Sequence, residues 1–212
     1  MPFTQLIFDL DNTLYPSSRG VVDRVDVRIN RYMVERLGIA PGVAGPLRAR
    51  YRDAYGTTLS GLMRHHAIDP DDYLTTIHEI AVEELLTADA ALAAMLTTLA
   101  QPKAVFTNGS AEHAERVLTC LDVRAHFAQI FSLESVAYVP KPERVAFETV
   151  LARLGVDGPD CVFVDDRPDN LATARALGMR TVLVGERTAA ADLAADGAIA
   201  SIHDLASLLA SF

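Results

Sequence analysis

The chain has 212 residues, half of them hydrophobic, and carries 28 acidic against 19 basic side chains for a formal charge of −9. That length suits one domain or a domain with a modest insert, and the apolar share is enough for a packed core, which excludes a disordered or collagen-like chain. The acidic balance lacks the basic footprint of a nucleic-acid binder and is equally unsuited to an anionic membrane, so the open question is whether some of the acid is gathered to hold a cation.

Leu6, Ile7 and Phe8 form a short apolar run ending in acidic and turn residues, the pattern of a buried strand entering a loop. Val22, Val25, Ile29, Tyr32, Met33 and Leu37 then recur at helical spacing, and Gly38 and Pro41 end that helix. Residues 42–55 and 57–66 read as two further helices. Asp69-Pro70-Asp71-Asp72 is a helix start, with proline in the first turn and acids at the positive end of the dipole. Residues from about 16 to 88 are therefore expected to be all helical.

Beyond this block, strands alternate with helices. Strands are expected at 104–106, 161–164, 181–184 and 198–200, and helices at 90–99, 110–121, 142–154, 170–177 and 204–210. That alternation predicts an α/β fold with a doubly wound parallel sheet. The helical block, residues 16–88, reads as an insert after the first strand, and residues 1–15 and 89–212 as the α/β domain; residues 186–210 are rich in alanine. Cys120 and Cys161 lie far apart and form no CxxC, so two buried thiols in a reducing compartment are expected. Asp9 and Asp11 interrupt the short apolar run at the N-terminus, which argues against a signal peptide, and no apolar stretch reaches the roughly 18 residues of a membrane span. A cytoplasmic protein is the expectation.

In parallel sheets, ligands sit outside the carboxyl ends of the strands. Four segments there carry unusual chemistry: Asp9-Leu10-Asp11-Asn12-Thr13, Thr107-Asn108-Gly109-Ser110, Lys141 between two prolines, and Asp165-Asp166-Arg167-Pro168-Asp169-Asn170. A single acid after a strand is ordinarily a turn or helix-cap residue. The set together gives hard oxygen ligands suited to Mg²⁺, small donors suited to phosphate oxygens, and a cation for the same anion. An aspartate in such a site can act as nucleophile, and a second one as acid and base. Only Lys103 and Lys141 are lysines, which hints at a need for a compact ammonium at 141. The histidines show no zinc spacing, and His65-His66 reads as polar helix surface.

These four segments, in order and spacing, resemble the four motifs of the haloacid dehalogenase-like (HAD) hydrolase superfamily. The resemblance implies a Rossmann-like core with a small helical cap inserted after the first strand. Inside the cap, Tyr55-Gly56-Thr57-Thr58-Leu59-Ser60-Gly61-Leu62, followed by His66, resembles the pyrimidine 5′-nucleotidase subgroup, as does Asp11-Asn12-Thr13-Leu14-Tyr15-Pro16.

By motif position, the resemblance implies Asp9 as nucleophile and metal ligand. It implies Asp11 as acid and base, with its backbone carbonyl on the metal. Thr107 and the amide of Asn108 would hold phosphoryl oxygens, and Lys141 would bridge Asp9 and the phosphoryl group. Asp166 would be the main metal carboxylate, with Asp165 a ligand or its neighbour. Asn170 stands where relatives often carry an acid; it would orient a metal-bound water and adds no charge. Arg167 either faces solvent or gates the site. Tyr55, Gly56, Thr58 and His66 would face substrate from the cap, although Gly56 and Gly61 serve equally as turning and close-packing positions.

The implied activity is Mg²⁺-dependent hydrolysis of a small phosphomonoester through an aspartyl-phosphate, with a pyrimidine nucleoside 5′-monophosphate such as UMP or CMP as substrate. Other small phosphates (a sugar phosphate, phosphoglycolate, pyridoxal phosphate), a mutase, a dehalogenase and a receiver-like or binding protein are the alternatives. A homodimer is left open.

Overall fold

The computed structural model describes residues 3–185 and 195–212. Six parallel strands form one sheet in the order β3-β2-β1-β4-β5-β6: β1 Gln5–Phe8, β2 Lys103–Phe106, β3 Gln129–Phe131, β4 Cys161–Asp165, β5 Arg180–Val184 and β6 Gly197–Ile199. Side chains alternate across a strand, and here the alternation sorts residues into two layers. Leu6, Phe8, Val105, Val162, Val164 and Val182 pack on one face, while Ile7, Ala104, Phe106, Phe163 and Leu183 pack on the other.

Helices cover both faces. Ala90–Thr98 (α5), Ala111–Cys120 (α6) and Leu205–Leu209 (α9) contribute Leu92, Leu96, Ala114, Val117, Leu205 and Leu209 to the first layer. Arg144–Leu154 (α7) and Pro168–Ala176 (α8) contribute Phe147, Val150, Leu171 and Ala174 to the second. This is the doubly wound parallel sheet expected from the alternation of elements. β3 is the strand that sequence reading omits. It has three residues, only Phe131 is buried, and it lies at the sheet edge, so it has neither the length nor the apolar run that marks the inner strands.

Between β1 and α5 run Val21–Glu35 (α1), Pro41–Tyr55 (α2), Thr58–His66 (α3) and Pro70–His78 (α4). Their apolar faces make a third cluster, Ile29, Met33, Tyr51, Leu59, Leu62, Tyr73 and Ile77 among them, which Leu133 joins from the loop after β3. Val82 and Leu86, beyond α4, pack with the sheet layer instead. Gly61 lets α3 lie directly on α2: a Cβ there would stand 2.2 Å from Tyr51 Cγ. Cys161 is buried and Cys120 only half-buried at the end of α6; both thiols are free. Among the described residues, no helix is long and apolar enough to cross a membrane.

Strand order places the site. The chain leaves β1 to build β2 and β3 on one side, then returns to place β4 on the other. The carboxyl ends of β2, β1 and β4 therefore stand side by side, and the crevice at such a reversal is where ligands bind in open α/β sheets.

Candidate active site

Asp9 directly follows β1, and its amide donates to Val164 O at 2.8 Å, which levels it with the end of β4. Thr107 directly follows β2, Asp165 ends β4 and Asp166 directly follows it. Lys141 comes from the loop before α7 and is 1% exposed. Its ammonium uses all three donors: Nζ reaches Asp9 Oδ1 at 2.6 Å, Phe106 O at 2.7 Å and Asp165 Oδ2 at 3.0 Å. The Phe106 and Phe163 rings lie 5.1 Å and 5.4 Å from it, so its charge is sealed from water on that side. The side chain of Asn108 clasps the Lys141 backbone. Thr13 Oγ1 donates to the other oxygen of Asp9 at 3.0 Å.

Three carboxylates around one ammonium leave a surplus of negative charge. Oxygens of Asp9, Asp165 and Asp166 lie within 4.8 Å of one another. Burial pushes Asp9 up to about 8; Lys141 opposes this, while Asp165 and Asp166 add to it. Burial and Asp165 push Asp166 up to about 6 against Lys141. Lys141 shifts upward despite burial, because Asp165 and Asp9 favour its charged form. A buried set of oxygen donors whose charge is only partly balanced by protein is chemically suited to a hard divalent cation.

The two acids at the end of β4 differ. Asp165 Oδ1 accepts from Arg167 N at 2.8 Å and Asn170 Nδ2 at 3.0 Å, and its Oδ2 from Lys141 and, at 2.9 Å, Asn170 Nδ2 again. Both of its oxygens are thus engaged by protein donors. Asp166 is half-buried and lines the cavity. Asn170, which also lines the cavity, holds Asp165 with its amide nitrogen. Arg167 lines the cavity mouth with a half-exposed side chain 3.6 Å from Asp169.

Asp11 lies on the cavity wall. Its Oδ1 accepts from His113 Nε2 at 2.8 Å and from the hydroxyl of Tyr15. Burial alone would raise this carboxyl, but the His113 ring and the hydrogen bonds from His113 and Tyr15 outweigh it and bring the group down to about 2. Thr13 and Tyr15 stand in the quoted motif stretches without an assigned contact, and His113 is the residue that motif reading passes over. His113 stands 102 residues from Asp11, and only the packing of α6 against β1 brings the two together.

The cavity above these residues measures about 290 Å³. Its floor is Asp9, Thr107, Asn108, Lys141 and Asp166, with Asp11 on the wall, and its roof is largely apolar, with Val25, Ile29, Leu59, Tyr73 and Ile77. Arg48 and Arg52, with Asp26, add charge to the roof. Thr107 keeps its Oγ1 on the amide of Gly109 at 2.9 Å, which closes the turn into α6.

Of the four residues expected to face substrate from the helical block, Gly56 and Thr58 line the cavity and Tyr55 and His66 do not. Tyr55 pairs its hydroxyl with His65 Nε2 at 2.8 Å and His66 pairs with the hydroxyl of Tyr51 at 2.9 Å, so both brace α2 against α3. Gly56 also has a structural duty. It closes α2 at φ 79° and lies against the Lys141 loop, where a Cβ would come within 3.6 Å of Lys141 O.

Comparison with known proteins bears on the family and the fold. The haloacid dehalogenase-like hydrolase family model matches residues 4–178. The phosphoglycolate phosphatase of Rhodospirillum rubrum is 27% identical over 224 aligned positions, covering 96% of this chain and 88% of that protein. Phosphate metabolism protein 8 of Saccharomyces cerevisiae is 27% identical over 83% of this chain, which spans 60% of the yeast protein's length. Among solved structures, the L-2-haloacid dehalogenase of Xanthobacter autotrophicus with chloropropionic acid covalently bound superposes with a TM-score of 0.65 at 16% identity, over 99% of each chain. A HAD phosphatase from Thermococcus onnurineus does so with a TM-score of 0.63 at 20% identity, over 98% of each chain.

Proposed function

The chain belongs to the haloacid dehalogenase-like hydrolase family, and from that premise we propose that it is a phosphomonoester hydrolase in which Asp9 is the nucleophile. One observation carries the reading: the buried Asp9 carboxylate is fixed by Lys141 at 2.6 Å on the cavity floor, beside an acid cluster able to hold a divalent cation. Transfer of a phosphoryl group is mostly positioning and charge stabilisation, and this floor supplies both. Curated relatives whose names include phosphoglycolate phosphatase support the same chemistry.

In the proposed reaction, an Asp9 oxygen attacks phosphorus in line with the leaving oxygen. Asp11, a carboxylate in the free protein, takes up a proton on Oδ2 as the anionic substrate enters and gives it to the leaving oxygen as that P–O bond breaks, and Asp9 becomes an aspartyl-phosphate. Asp11 then takes a proton from water, the water oxygen attacks phosphorus, and Asp9 is released with inorganic phosphate. The amide of Asn108 and the hydroxyl of Thr107 bind the equatorial oxygens, and the Lys141 ammonium, held on Asp9, supplies positive charge beside them. Asp9 and Asp166, with the Asp11 carbonyl, are the groups that would hold Mg²⁺, which when bound neutralises charge between the carboxylate and the phosphate dianion. Asp165, engaged on both oxygens, serves to orient Lys141. Residues 16–88 act as a cap that shields the reaction from water and contacts the leaving group.

Two features weigh against dehalogenation, which the bound ligand of one structural neighbour brings to mind. Halide leaves without a proton, so an acid at Asp11 would have no leaving group to protonate, and no cation is needed for an uncharged carbon–halogen bond. For the leaving group, we favour a pyrimidine nucleoside, on the resemblance of the stretch 55–62 and the presence of Gly56 and Thr58 at the cavity.

The test is phosphate release, with and without Mg²⁺, from nucleoside monophosphates, sugar phosphates, phosphoglycolate and pyridoxal phosphate. Turnover of pyrimidine nucleotides ahead of the others is expected. Release from none overturns the phosphatase reading, and nucleotides ranking last overturns the nucleotide preference alone.

A further inference from the structure

The acid assigned to the leaving-group step is held from behind by two residues, Tyr15 from its own motif stretch and His113, which no motif supplies. Asp11 Oδ1 receives His113 Nε2 and the Tyr15 hydroxyl. A carboxylate only accepts, so His113 carries its proton on Nε2. Oδ2 has no protein donor among the described residues. Proton exchange with a ligand in the cavity is thereby left to Oδ2.

His113 is itself fixed in place. It is 1% exposed and lies behind two residues that line the cavity, Asp11 and His78, without lining it itself. Its ring stacks on His78, the last residue of α4, at 4.4 Å and 20°. His78 in turn donates through Nδ1 to Leu74 O at 2.9 Å. Three residues along the same helix as His113, and so on the same side of it, Arg116 donates to His78 O at 3.2 Å and to Ile80 O at 2.7 Å. α6 therefore grips the end of α4 with Arg116 and Asp11 with His113.

We propose that His113, seated by His78, is a positioning residue that sets the Asp11 carboxylate for proton transfer to and from the leaving group. The proposal rests on the reading of Asp11 as acid and base. Displacing a reacting group by about 1 Å costs on the order of 100-fold in rate, and an aspartate without these donors is free to turn about both of its side-chain bonds.

The test compares two esters by kcat/KM, which reports only the steps up to leaving-group departure. An alkyl phosphate needs its leaving oxygen protonated, whereas p-nitrophenyl phosphate releases a stable phenolate. His113→Phe is expected to lower kcat/KM for the alkyl ester by about 10- to 100-fold and for the aryl ester by no more than about threefold. His113→Gln, which carries a donor of similar reach, is expected to recover most of the alkyl rate. Should the Phe variant not fold, His113→Asn keeps a polar group too short to reach Asp11 and reads the same ratio. An equal loss on both esters, or no rescue by Gln, overturns the role of His113 while leaving the phosphatase reading intact. A wild-type protein that hydrolyses neither ester overturns the phosphatase reading and this role with it.

Discussion

Asn108 and Lys141 are joined side chain to backbone. Asn108 Nδ2 donates to Lys141 O at 2.9 Å, and Asn108 Oδ1 accepts from Lys141 N at 2.8 Å. The clasp joins the loop after β2 to the loop before α7, and it fixes the root of the side chain whose ammonium lies on Asp9. Asn108→Ala removes both bonds at once. A loss of about 1–3 kcal/mol in stability is expected, with a fall in kcat that exceeds any change in KM. Asn108→Asp keeps the acceptor but turns a charged oxygen toward Lys141 O, and is expected to be worse than Ala. Denaturant melts and steady-state kinetics check both.

Lys141 balances two buried acids. Lys141→Met leaves Asp9 and Asp165 without their cation, and breaking a buried pair in this way typically costs about 3–5 kcal/mol. Turnover is expected to fall by at least about 100-fold, as for loss of a transition-state donor. Lys141→Arg is not expected to rescue it, since a planar fork does not fit among two carboxylates, a carbonyl and two phenyl rings.

Protons and a divalent cation compete for the acid cluster. Burial and neighbouring carboxylates push Asp9 up to about 8 and Asp166 up to about 6, from an ordinary value of 3.8. Between the unfolded and folded values the native protein holds more protons than the unfolded chain, so stability without divalent cation falls as pH rises from about 4 to about 8. Mg²⁺ binds the deprotonated form, so its affinity is expected to rise across the same window and its binding to release protons. Calorimetry in buffers of different ionisation enthalpy, with thermal melts at several pH values, reads both effects. An affinity independent of pH contradicts them.

Much of the floor was legible in sequence, for a physical reason. Asp9, Thr107 and Asp165–Asp166 each follow an apolar run that can only be an inner strand, and parallel strands deliver their carboxyl ends to one edge. The cluster of Asp9, Asp165 and Asp166 follows from adjacency of β1 and β4. Contacts set by helix packing were not legible. His113 lies on a helix whose amphipathic face predicts burial, yet nothing local says that its ring meets Asp11. The family-like stretch 55–66 mixes two duties, and only the fold separates Gly56 and Thr58, at the cavity, from Tyr55 and His66, which brace α2 and α3.

That bracing has its own test. At Gly61 a Cβ would meet the Tyr51 ring at 2.2 Å, whereas at Gly42 it would meet open space. Gly61→Ala is expected to cost about 1–3 kcal/mol through overpacking, and Gly42→Ala to leave the melting temperature unchanged or raised.

The central claim is that Asp9 is the nucleophile of a phosphomonoesterase, and Asp9→Asn tests it most directly. This change keeps the size of the side chain and one acceptor oxygen but removes its nucleophilic charge. The measurement is phosphate release in Mg²⁺ by wild-type and variant proteins with matching circular dichroism spectra. Release by the wild type and none by the variant is the predicted result. Turnover retained by Asp9→Asn would contradict the account.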